Sequence, residues 1–174
     1  VSWSRGLGDV YKRQILKRVI PSTTSSLKLI YFVNLIPFGL LVYAFSISDF
    51  TLLNVVENSY VDDPIFYKVT SAWGSHEGSI LLWVFLINLF GVFFLYKNQT
   101  VEIHKNILFI STLFILYVIV SSNPFIYVEA NENVLGLGLN PILQHFLFVI
   151  HPPTLFLGYI LSLIHISEPT RPTD

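Results

Sequence analysis

The 174-residue chain contains no cysteine and no methionine, and only 12% of its residues are charged, about half the share in an ordinary soluble domain. Without cysteine there can be no disulfide framework, no thiolate metal site and no thioether to a haem vinyl group, so the chain is not itself a c-type cytochrome. Without methionine it has no ordinary start residue and reads as a fragment. An excess of either charge is also missing: 10 Lys and Arg against 11 Asp and Glu leave a net charge of −1. A nucleic-acid partner, which would need a clustered basic face, is thereby excluded. The amino terminus has no signal peptide with a cleavage site, and the chain shows no internal repeat, no low-complexity tract and no strand pattern that competes with helix.

What is present is apolar, with 53% hydrophobic and 16% aromatic residues. Leu29 to Ile47 is a charge-free run of 19 residues, about the length that crosses ~30 Å of hydrocarbon. Asn34 and Pro37 interrupt it, and inside a membrane such residues face other helices. Ser79 to Tyr96 gives a second span. Ile107 to Val120 gives a third, short at 14 residues unless it borrows Ser121 to Ile126, and it is expected to stop before Pro124. Pro141 to Ile150 is expected to lie as a short amphipathic helix at the surface, and Pro152 to Leu161 to begin a fourth span. The predicted fold is an all-α, polytopic transmembrane fragment of three spans plus the start of a fourth. The two ends differ from this pattern: Val1 to Gln14 (VSWSRGLGDVYKRQ) and Ser162 to Asp174 (SLIHISEPTRPTD) resemble translated sequencing-adapter read-through, which leaves 15–161 as the native segment.

Charge orients the spans. The loop Ser48 to Gly78 carries Asp49, Glu57, Asp62, Asp63 and Glu77 against Lys68, and the loop Tyr127 to Leu139 has neither Lys nor Arg. Lys17, Arg18 and Lys28 precede the first span, and Lys97 and Lys105 lie in the turn after the second. The positive-inside rule therefore places the amino terminus and the Lys97 to Asn106 turn in the cytoplasm and the two acidic loops on the opposite face.

Two stretches on that outer face carry possible chemistry. Ser71 to Trp83 (SAWGSHEGSILLW) crowds two tryptophans and the His76-Glu77 pair at the membrane boundary. It reads either as an interfacial anchor, with Ser75 or Ser79 capping the helix and Glu77 at its positive end, or as a binding surface with Trp73 for stacking and His76 for hydrogen bonding or ligation. A His-Glu dipeptide does not by itself make a metal site. In Asn140 to Tyr159 (NPILQHFLFVIHPPTLFLGY) a histidine precedes two prolines. Proline lacks an N–H and disfavours helix at the residue before it, so a helix is expected to start at His151 rather than pass through it. His151 at such a helix mouth either caps and packs, serves as an axial haem ligand, or relays protons. His145 and His104, the latter assigned to the opposite loop, are expected to be solvated bystanders. A transporter or channel segment gated by His151 is the alternative, though the three complete spans show no ionisable residue; a scaffold docking partners through the acidic loop is another.

The runs SDFTLLNVVENSY, FYKVTSAWGSHEGSILLW, SSNPF and LNPILQHFLFVIHPPTLFLGY resemble, in order and spacing, the CcmF/NrfE-type cytochrome c haem lyase subunits of cytochrome c maturation system I. The resemblance covers about Ala44 to Leu161. It implies a multi-pass protein of the bacterial inner membrane, with its site facing the periplasm. Such a subunit receives haem from the membrane-anchored chaperone CcmE and, with CcmH-type and CcmI-type subunits, helps attach it to apocytochrome c. It implies haem b as substrate or bound cofactor. His151 would be one of two outer axial ligands to haem iron, while the tryptophan-rich motif, the second outer histidine and the pair for an internal haem lie beyond Leu161. The fragment alone, with one ligand of two, is expected to be inactive and to bind haem weakly.

Overall fold

The computed structural model describes residues 25–96, 101–129 and 134–167. Expectations for the adapter-like segment 1–14, for Lys17, Arg18, Lys97 and Glu132, and for residues 168–174 lie outside that range. Helix α1 spans Ser25–Ser46. It is followed by α2 (Leu53–Asn58), α3 (Ile65–Ser71), α4 (His76–Tyr96), α5 (Val101–Ser121), a 3-10 turn (Pro141–Gln144) and α6 (Phe146–Ser167). Among the described residues the β structure is one isolated bridge, Leu52 to Tyr127. By length and composition α1, α4 and residues Ile103–Ser121 of α5 suffice to cross a membrane. The all-α, polytopic fold is therefore as expected.

The long helices pack along seams that their residue spacing sets. On α1, Tyr31, Phe38, Leu41 and Phe45 are buried while Phe32, Ile36, Leu40 and Tyr43 are exposed, an alternation of three and four that keeps one stripe facing a neighbour. On α5, His104, Ser111 and Val118 recur every seventh residue and are the buried ones among residues 103–121. Helix α4 is buried on several sides, at Leu81, Leu82, Val84, Leu86 and Asn88, as befits a helix that is apolar all round. Lipid is as apolar as leucine, so close packing and polar contacts must hold such a bundle. Asn88 supplies the polar contacts: its Nδ2 donates to the Val84 carbonyl at 2.8 Å and to Ser111 Oγ at 2.6 Å, and its Oδ1 accepts from Asn34 Nδ2 at 3.0 Å. Close approach occurs at Gly91, where an added Cβ would stand 2.3 Å from Tyr31 Cε1.

Four expectations need correction. The third span takes in only Ser121 of the stretch Ser121 to Ile126; α5 extends at its other end, to Val101, and stops before Pro124 as expected. His104 is therefore no solvated loop residue. It lies on the buried seam of α5, 2% exposed, with Nδ1 3.0 Å from the Tyr31 hydroxyl, so an ionisable side chain does occur within a span. The segment Pro141 to Ile150 forms no single surface helix, because the 3-10 turn ends at Gln144, His145 is extended, and α6 is already helical from Phe146. That helix then continues through Pro152 and Pro153 instead of starting there.

The two acidic loops meet at one end of the bundle, as their shared predicted face requires. Leu53 N–H donates to the Ile126 carbonyl at 2.9 Å, Val128 N–H to Thr51 at 2.9 Å, Val61 N–H to Leu135 at 3.0 Å and Leu137 N–H to Val56 at 2.8 Å. Asp49 and Asp63 shape turns here, accepting from Thr51 N and Tyr60 N respectively. The first loop opens with a reversal at Ser48, which has φ 55°. Asp49 N–H bonds the Ala44 carbonyl and Ser48 N–H the Phe45 carbonyl, the paired bonds of a Schellman cap, in which glycine is the usual left-handed residue. Ser48→Gly is expected to stabilise the protein by about 1 kcal/mol. A thermal midpoint in detergent that failed to rise would contradict this.

Candidate functional site

The WGSHEG stretch forms the start of α4 and the turn leading into it. Ser75 is the N-cap, its Oγ accepting from Gly78 N–H at 3.0 Å, which satisfies one of the amides that a helix start leaves open. Glu77 lies in the first turn, where the helix dipole favours a carboxylate. Its Oε2 accepts from Asn54 Nδ2 on α2 at 3.4 Å. His76 Nδ1 lies 3.2 Å from Ser122 Oγ, just past the end of α5. Ser79 Oγ donates to the Trp73 carbonyl at 2.8 Å. These side chains thus tie α2, the end of α5 and the turn 72–74 to one helix start. The arrangement has the anchoring geometry, and neither His76 nor Glu77 is brought together with other ligands: no group of three His, Cys, Asp or Glu side chains among the described residues is placed to hold a metal ion.

Trp73 explains how α6 accommodates Pro153. In a regular helix the amide of residue 153 would donate to the carbonyl of Val149, and Pro153 has no such amide. The Trp73 indole Nε1 donates to that carbonyl instead, at 3.0 Å. At the next residue, the Thr154 hydroxyl lies 3.0 Å from each of the Ile150 and His151 carbonyls. Further along α6, Phe156 stacks on Trp83 of α4 with ring centroids 5.7 Å apart and planes 15° apart, and Trp83 also meets Phe114 of α5 at 4.4 Å. Val149 and Ile160 are buried on the side of α6 that meets the bundle.

His151 occupies the other side. It follows Val149 by two residues, about 200° around the helix axis, and its side chain is exposed. Leu147 and Leu155, four residues before and after it, are 67% and 40% exposed. Beyond them, an added Cβ on Gly158 would meet nothing within 4 Å. Neither ring nitrogen of His151 has a partner among the described residues. The donor set fits one axial bond to the iron of a flat apolar macrocycle: one open imidazole, flanked along the helix by apolar side chains. Trp73 is not on this surface, because its indole is engaged on the bundle side of α6. Between Trp73, Thr70, Leu139, Leu143, Val149 and Pro152 lies a cavity of about 220 Å³, below the ~300 Å³ where pockets for small molecules begin.

Sequence reasoning missed the hydrogen bond from Trp73 to the backbone and misplaced His104, which is buried. A carbonyl orphaned by proline is itself a signal that a donor must be found. The seven-residue spacing of His104, Ser111 and Val118 is the signal that could have located the buried histidine.

Residues 73–167 match the family described as Cytochrome C assembly protein. The chain is 43% identical over 119 residues to the cytochrome c-type biogenesis protein CycK of Bradyrhizobium diazoefficiens, covering 65% of this chain and 18% of that protein. It is 40% identical over 131 residues to the cytochrome c-type biogenesis protein CcmF of Haemophilus influenzae, covering 72% and 20%. To the probable cytochrome c-type biogenesis protein NrfE of Escherichia coli it is 38% identical over 131 residues, covering 72% and 24%. The chain spans about a fifth of the length of the curated relatives it matches. No solved structure matches it.

Proposed function

The chain belongs to the cytochrome c assembly protein family, and from that membership we propose that it is part of a haem-handling subunit for cytochrome c maturation in the bacterial inner membrane. In this reading the full-length protein receives haem b, as substrate, from a membrane-anchored chaperone of the CcmE type. With CcmH-type and CcmI-type subunits it then presents the haem to apocytochrome c on the periplasmic side. The observation that carries the proposal is the open imidazole of His151 on the outward face of α6, at the bundle end where the two acidic loops pair. His151 contributes one nitrogen lone pair to the iron, and Leu147 and Leu155 contribute apolar surface beside it. The protein's share of the chemistry is positioning: thioether formation needs a vinyl group held against a thiol, and the thiols come from the substrate protein. Trp73, His76 and Glu77 build the frame that supports this surface.

Sidedness tests the proposal independently of haem. In a cysteine-free background of the full-length protein, single cysteines at Asp62 and Leu137 are expected to react with a membrane-impermeant maleimide on spheroplasts. A cysteine at Lys97, one of the basic residues that the charge rule places in the cytoplasm, is expected to react only after permeabilisation. The opposite pattern would put the acidic loops and His151 in the cytosol, where no secreted apocytochrome could be served.

A further inference from the structure

We propose that Trp73 is a positioning residue for His151, acting through the hydrogen bond from its indole N–H to the Val149 carbonyl that Pro153 leaves without a helical donor. The inference rests on the reading of His151 as a haem ligand and adds to it what fixes the ligand in space.

Val149 is 6% exposed, so water does not readily take the place of the missing amide, and a buried carbonyl left unpaired is costly. The Trp73 indole, at 3.0 Å, fills that place. Val149 stands two residues before His151, within the same turn, so the bond that satisfies its carbonyl also sets the path of the backbone carrying the imidazole. Trp73 is in turn fixed from its own side: its carbonyl accepts from Ser79 Oγ at 2.8 Å and its amide donates to the Thr70 carbonyl at 3.2 Å. Through His76 to Ser122 and Glu77 to Asn54 the same helix start is bonded to the end of α5 and to α2 of the first outer loop. The WGSHEG stretch thus reaches His151 through one backbone carbonyl. A stacking role would need only the ring of Trp73, whereas this role needs its N–H.

The double substitution separates the two. Trp73→Phe keeps an aromatic ring and removes the donor; Pro153→Ala returns a backbone N–H that can donate to Val149 directly. In the purified full-length protein, W73F is expected to speed amide exchange over residues 154–157 by about fivefold, the equivalent of one hydrogen bond, and to shift the Soret band of the co-purifying haem. W73F with P153A is expected to return both readings to those of the unmodified protein. Unchanged exchange in W73F, or a double variant as perturbed as the single one, would overturn the proposal. His151 is read out separately: if His151→Ala leaves the haem spectrum unchanged, the ligand assignment fails, while the exchange measurements still decide the role of Trp73.

Discussion

Replacing His151 by alanine in the full-length protein is expected to remove most of its outer-face haem and to stop cytochrome c maturation, with the protein still inserted in the membrane at its normal level. The imidazole is exposed and unpartnered among the described residues, so its loss breaks no packing and opens no cavity. Substitution of an exposed residue away from caps and networks costs folding stability only about 0.5 kcal/mol or less. The effect on the iron is of a different size. Removing a group that merely orients a metal ligand already costs roughly 10- to 100-fold in affinity, and removing the ligand itself should cost at least as much. The separation between intact insertion and lost haem is what distinguishes a ligand from a structural histidine. Quantifying haem per protein by absorbance, with Asp62→Ala at an exposed outer-loop position as the control, checks it. Equal haem in the two variants would refute the assignment.

A large structural effect is expected from Gly78→Ala. A Cβ at this position would stand 1.8 Å from the Ala72 carbonyl oxygen and 2.9 Å from Ser75 Oγ. The first of these is backbone and cannot swing aside. Room for a methyl requires the turn 72–74 to move away from α4, which pulls on Ser75, on the Ser79 bond to Trp73, and through Trp73 on Val149 of α6. Overpacking of this kind typically costs about 1–3 kcal/mol. The substituted protein should melt several degrees lower and lose haem together with stability, whereas His151→Ala loses haem alone. An alanine variant with an unaltered thermal midpoint would show that the turn is not held as tightly as its contacts indicate.

Much of the bundle was legible in the sequence because the physics that makes it is local. Charge-free runs fix α1 and α4, the distribution of Lys and Arg separates the loops, and Ser75 before His76-Glu77 marks a helix start. The pairing of the two acidic loops follows from their shared face. What was not legible depends on partners distant in the chain. The rule that proline ends helices describes a helix without neighbours; here a donor 76 residues earlier in the chain supplies the bond that Pro153 cannot. His104 was misplaced for a related reason. Taken with its polar neighbours it reads as a loop residue, yet its ring meets Tyr31, 73 residues away, on a seam shared with Ser111 and Val118. His151 is exposed from within a continuous helix, held by its turn rather than by the break that its two following prolines suggest.

Chemical rescue tests the central claim most directly. With His151→Gly in the full-length protein, haem content and cytochrome c maturation should fall together. Added imidazole, which carries the same nitrogen without the tether, should return the low-spin spectrum and part of the maturation in proportion to its concentration. A glycine variant that keeps the spectrum of the unmodified protein, or whose spectrum ignores imidazole while haem stays bound, would show that the iron is held by some other group.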